Sequence, residues 1–204
     1  MDEGVFMKRI VGSLCLLLST VVAAPAAAGV QAYVTLNDNG SSGFARGEAL
    51  ELYAVGRRNN LGISFEGLVS NERKARAERG YAYSANVGLQ RYYGNLFAEA
   101  GVAYGGYRST FESGTVWERT SVSPRVALGY DDPQTHINVK LAYAHRLPRN
   151  EPSPVTDASS LALTVKAPLW RRLMCSWTIG AQRARQNGRT NSGSFVSYGL
   201  GFRF

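Results

Sequence analysis

Histidine and cysteine are scarce in this chain of 204 residues, with two of each. No Cys/His cluster has metal-ligand spacing, so neither a metal nor a cofactor is expected. Cys15 lies in the N-terminal segment, which leaves Cys175 alone in the remainder. A single cysteine cannot form an internal disulfide, even in an oxidising compartment. Beyond residue 28 no run of 18 consecutive apolar residues occurs, so no transmembrane helix is expected there. No Gly-rich segment joins a strand to a helix as a phosphate loop does. Acidic residues are outnumbered, 15 Asp and Glu against 23 Lys and Arg, for a net charge of +8.

What the chain does have begins with an export signal. Lys8 and Arg9 are basic, and Ile10 to Val22 is apolar and uncharged. Ala26-Ala27-Ala28 supplies small residues at the positions a signal peptidase reads, with cleavage before Gly29; cleavage after Ala26 is the alternative. Met7 starts a more conventional signal than Met1. Leu14 is too large for lipoprotein processing at Cys15. Residues 1–28 are therefore expected to be a signal peptide and 29–204 one domain. Asp2 and Glu3 cancel Lys8 and Arg9, so the exported part keeps the full positive charge. Nucleic acid is not an expected partner for an exported chain; phosphate-rich lipopolysaccharide is.

After Gly29 about ten segments alternate apolar and polar residues, as strands with two different faces do. Leu61, Ile63 and Phe65 oppose Gly62, Ser64 and Glu66. Tyr83, Ala85, Val87 and Leu89 oppose Ser84, Asn86, Gly88 and Gln90. Pro124, which lacks a donor, predicts a bulge in the sixth segment. Long and short connections alternate. The long ones are 38–47, 71–80, 108–116, 147–158 and 184–193; the short ones are 57–60, 92–95, 131–134 and 170–172. Short turns at one rim and long loops at the other are the layout of a transmembrane barrel.

One face carries charge at strand centres: Glu51, Glu66, Glu99, Arg125, Lys140 and Lys166. The other is nearly free of it. A soluble barrel would put its charges outward. A charge-free face suits lipid, where a mid-bilayer Arg or Lys costs about 2–4 kcal/mol. Tyr92, Tyr93, Tyr130, Trp170 and Phe204 gather at the short-turn ends and are expected to form an aromatic girdle.

The last eleven residues, Ser194 to Phe204, place Val196, Tyr198, Leu200, Phe202 and Phe204 on one parity. This resembles the closing strand of bacterial outer-membrane barrels. The resemblance implies that Tyr198, Leu200, Phe202 and Phe204 are read by the barrel-assembly machinery. The whole pattern resembles the small barrels of the OmpA and OmpX/Ail type, and implies an all-β, antiparallel up-and-down barrel in the outer membrane, acting as a monomer. Those families have eight strands, and ten segments are counted here, so eight stays open.

Three functions follow. The first is a non-enzymatic envelope protein with a salt-bridged interior, whose external loop residues Arg73, Lys74, Arg76 and Arg79 contact lipopolysaccharide or an external partner. Arg forks suit phosphate oxygens. The bland alternative for that loop is a solvated segment kept soluble by its charge. The second function is a narrow diffusion channel, because ten strands leave more lumen than eight. The third is a lipid A-modifying enzyme. His145, Ser159 and Asp157 share the lipid-facing parity across one external loop, which could bring a base, a nucleophile and an orienting acid together. Neither His136 nor His145 is followed two residues later by Ser, as resemblance to the barrel phospholipases or deacylases would require.

Overall fold

The computed structural model describes residues 29–41, 46–73, 79–110, 116–148, 155–186 and 189–203. The proposed signal peptide, Lys74, Arg76 and Phe204 lie outside them. Ten strands run in chain order: β1 Gly29–Ser41, β2 Arg46–Arg58, β3 Leu61–Arg73, β4 Arg79–Tyr93, β5 Leu96–Thr110, β6 Val116–Asp131, β7 Asn138–Pro148, β8 Val155–Trp170, β9 Leu173–Gln186 and β10 Arg189–Arg203. Each pairs antiparallel with the next, and β1 closes on β10 to complete a barrel. The closing register sets Leu36 opposite Leu200 and Val34 opposite Phe202.

Alternation dictates which residues line each face, because a one-residue slip would invert every side chain. On β4 and β5, Val87, Leu89, Leu96 and Val102 are exposed while Asn86, Gln90, Phe97 and Glu99 are buried. Leu89 is 66 % exposed and Glu99 4 %. This is the reverse of a water-soluble barrel: the apolar side chains cover the outside and the charged ones fill the inside. The outward apolar row continues through Leu128, Leu141, Leu163, Trp177, Ile179, Tyr198, Leu200 and Phe202. On β2, Leu52 and Ala54 hold the outward parity and are nonetheless buried.

The ends with short turns are knitted together. Asn59, Gly94 and Arg171 open the tight turns with positive φ. The Tyr92 N–H donates to the Asn60 carbonyl at 2.8 Å, that of Asp131 to Asn95 at 2.8 Å, and that of Arg203 to Arg172 at 2.9 Å. Arg57 stacks over the Tyr92 ring at 4.0 Å and donates to the Gly94 carbonyl at 3.0 Å.

Four expectations are corrected. Pro124 makes no bulge. Its strand stays in register with β5, Val102 facing Pro124, and the proline only interrupts the ladder to β7. A missing N–H removes a bond without requiring an extra residue. The register irregularities fall in β8 instead, between Val155 and Asp157 and between Pro168 and Trp170. Tyr92 is no girdle residue. It is 1 % exposed and faces inward, because its neighbour Tyr93 takes the outward parity at 69 % exposure. The turn expected at 131–134 spans 132–137, with His136 in the left-handed region. The long connections are also much shorter than expected, because polar residues continue the strands. Asn71, Glu72 and Arg73 belong to β3, and Arg79 and Gly80 to β4. Backbone hydrogen bonding does not require apolar side chains, so strand pairing runs on past the apolar band.

Candidate functional site

The interior is built from side chains on strands that are not neighbours. Lys166 on β8 donates to Glu51 on β2 at 2.5 Å. Glu66 on β3 takes two cations at once, Arg125 on β6 and Lys140 on β7. With its amide oxygen turned inward, Asn86 accepts from the same Arg125 at 3.2 Å. Between the two lysines stands the Tyr53 ring, with Lys166 Nζ 4.7 Å and Lys140 Nζ 5.1 Å from its centroid. Buried charges require partners, and these acids and bases supply one another.

A second cluster surrounds Glu99. Its Oε2 accepts from Ser64 Oγ at 2.9 Å and Gln90 Nε2 at 2.7 Å, and Gln90 Oε1 accepts from the Tyr92 hydroxyl at 2.7 Å. Glu99 Oε1 has no hydrogen-bond partner among the described residues. Gly88, the register partner of Gly101, makes room for this cluster. A Cβ at Gly88 would stand 2.7 Å from Ser64 Oγ and 2.8 Å from Glu99 Cδ. Toward the short turns, Tyr53, Val55 and Met174 form a buried apolar cluster. Tyr92 and Phe97 pack with ring centroids 5.6 Å apart.

All six charged residues singled out at strand centres thus lie inside the barrel. The ion pairs bring five of them together, and Glu99 stands apart among neutral donors. Tyr53 shares the parity of Glu51 and faces inward as that alternation implies. Sequence reasoning missed Tyr92, Phe97 and Met174 as interior residues; their parity with Gln90, Glu99 and Ser176 was the available signal.

At the opposite rim, Arg73 and Arg79 are register partners across β3 and β4. Tyr198, Leu200 and Phe202 are exposed on the outward face of β10. His145 pairs directly with Ser159, while Asp157 pairs with Arg185 one rung further out, beside an irregularity. Among the described residues no group of three or more His, Cys, Asp and Glu is placed to hold a metal ion.

A closed strand ladder leaves no edge and satisfies its backbone internally, as crossing a bilayer with strands requires. With an apolar exposed wall and a charged buried interior, it defines an integral β-barrel of the outer-membrane type. No protein-family model and no curated protein matches the chain. Among solved structures it is similar to the translocator domain of the autotransporter NalP from Neisseria meningitidis, at 13 % identity and a TM-score of 0.46 over all of both chains. It is similar to Ail of Yersinia pestis at 9 % identity and 0.39, covering 87 % of this chain and 97 % of that one. An anion-selective porin from Comamonas acidovorans matches at 14 % identity and 0.40 over 77 % of this chain. The match spans about half of that porin's length, 49 %. The chain's own ladder and its two faces, rather than these distant likenesses, carry the assignment.

Proposed function

We propose that this chain is a non-enzymatic protein of the Gram-negative outer membrane with a non-conducting interior, acting at its external rim on lipopolysaccharide or an external partner. One observation carries the reading: ion pairs between non-adjacent strands, Lys166 to Glu51 and Glu66 to both Arg125 and Lys140, cross the lumen. Side chains that meet across the cross-section leave their charges to one another rather than to a permeating ion. Function is then sought outside.

Basic residues support this rim as the acting surface. Arg73 and Arg79 end the strands that flank one connection, whose sequence adds Lys74 and Arg76, and Arg183, Arg185 and Arg189 lie in the strands that flank another. Guanidinium forks match phosphate oxygens in pairs. The N-terminal basic and apolar run and the outward Tyr198, Leu200 and Phe202 support export and insertion by the barrel-assembly machinery. Charge reversal at Arg73 and Arg79 is expected to reduce lipopolysaccharide co-purifying with the barrel. Undiminished lipopolysaccharide would remove this rim from the account.

A further inference from the structure

From β7 to β10 the outward face changes character rung by rung. Leu141, Leu163, Ile179 and Val196 are mutual register partners and form an apolar rung. Two residues further out the partners are Tyr143, Leu161, Ala181 and Ser194. Two further still they are His145, Ser159, Arg183 and Ser192. Rungs on one face lie roughly 7 Å apart along a strand, and four strands span roughly 14 Å. Two steps therefore take this wall from aliphatic to polar and cationic.

The wall is also concave there. Ser159, Ala181, Ser192, Gly193 and Ser194 are small, and the surface sinks beside Tyr143 and Leu161 into an open hollow of about 580 Å³. Arg183 stands exposed at its outer side, with no hydrogen-bond or ion-pair partner among the described residues. A guanidinium on a lipid-facing wall is tolerated near the interface and disfavoured deeper. An anionic headgroup gives it a partner at that level.

We propose that this hollow seats one lipid A moiety of lipopolysaccharide. A phosphate meets the Arg183 fork and the hydroxyls of Ser159 and Ser192, and an acyl chain lies over Ala181 against Tyr143 and Leu161. The proposal rests on the reading given under Proposed function, in which the end of the barrel that carries Arg73 and Arg79 is external. It concerns the barrel wall and not the Arg73–Arg79 connection. His145, opposite Ser159, lies on the same polar rung.

The test uses the full chain, expressed from Met1 and purified from membranes, with native mass spectrometry of added bis-phosphorylated lipid A. One lipid is expected per barrel. Arg183→Ala is expected to weaken its retention roughly tenfold, the size of one lost charge-assisted hydrogen bond. Ala181→Leu fills the hollow while keeping the wall apolar, and is expected to weaken retention with Arg183 intact. Dephosphorylated lipid A is expected to bind poorly. Wild-type retention in both variants, with closed-barrel gel mobility preserved, would overturn the proposal. So would phosphatidylglycerol competing equally with lipid A, or a bound lipid that loses an acyl mass in wild type but not in His145→Ala. A wild-type chain absent from membrane fractions would instead strike the membrane-barrel reading, before any lipid is added.

Discussion

Lys166 and Glu51 meet at 2.5 Å across the barrel interior although 115 positions separate them in the chain. Strands β9, β10 and β1 stand between their own strands along the ladder. Both side chains are largely buried, at 4 % and 16 % exposure. Removing one partner strands the other charge, a loss of about 3–5 kcal/mol for a buried pair. Lys166→Met and Glu51→Gln are each expected to lower the unfolding midpoint in urea with detergent-folded protein. The double variant should recover most of the loss. Additive losses in the double variant would contradict a mutual pair.

The room around Glu99 depends on having no side chain at position 88. Gly88→Val would press into Ser64 and Glu99, and overpacking typically costs about 1–3 kcal/mol. At Gly56, by contrast, an added Cβ meets nothing within 4 Å, so Gly56→Ala should be well tolerated. Thermal shifts of the two variants check the contrast. Equal shifts would mean that packing inside the barrel is looser than these distances imply.

Leu89 and Gln90 are neighbours with opposite surroundings, one exposed on the wall and one buried inside. A lysine at Leu89 faces hydrocarbon, at a cost of about 2–4 kcal/mol near the midplane. Leu89→Lys should therefore reduce folding yield into vesicles far more than Leu89→Met. Equal yields would contradict a lipid-facing β4.

The 132–137 connection carries a pH dependence. The Thr135 hydroxyl, donating at 2.7 Å, and the Gln134 N–H, at 2.9 Å, hold the Asp132 carboxyl below its ordinary value. A depressed carboxyl contributes stability above its unfolded value, about 3.9, and loses it as pH falls through the folded one. Relative to its intrinsic rate, hydrogen exchange at the Gln134 amide should accelerate as pH falls from about 5 through the folded value of Asp132. Asp132→Asn should remove that extra acceleration. A wild-type response matching the variant would exclude this carboxylate as the cause.

The two faces of the barrel were legible because alternation is local. Leu61 to Glu66 and Tyr83 to Gln90 disclose their parity without any partner. The strand limits were not, because pairing beyond the apolar band is held by backbone bonds that leave no hydropathy signal; Asn71–Arg73 and Arg189–Gly193 are such extensions. The interior partners were also hidden. Which acid meets which base depends on strand number and stagger, so Glu66 with Arg125 and Lys140 could only emerge from the closed ladder. Tyr92 was misplaced because two consecutive tyrosines sit where a girdle is expected, and only one of them can face lipid.

The central claim is that side chains close the lumen. Single-channel recording of the full chain, purified from membranes and added to a planar bilayer, tests it most directly, with heat-modifiable gel mobility confirming that the barrel is folded. A silent, folded barrel is the expected result. Discrete conductance steps whose ion selectivity shifts in Glu99→Gln or Lys140→Met would contradict it and make the interior a channel.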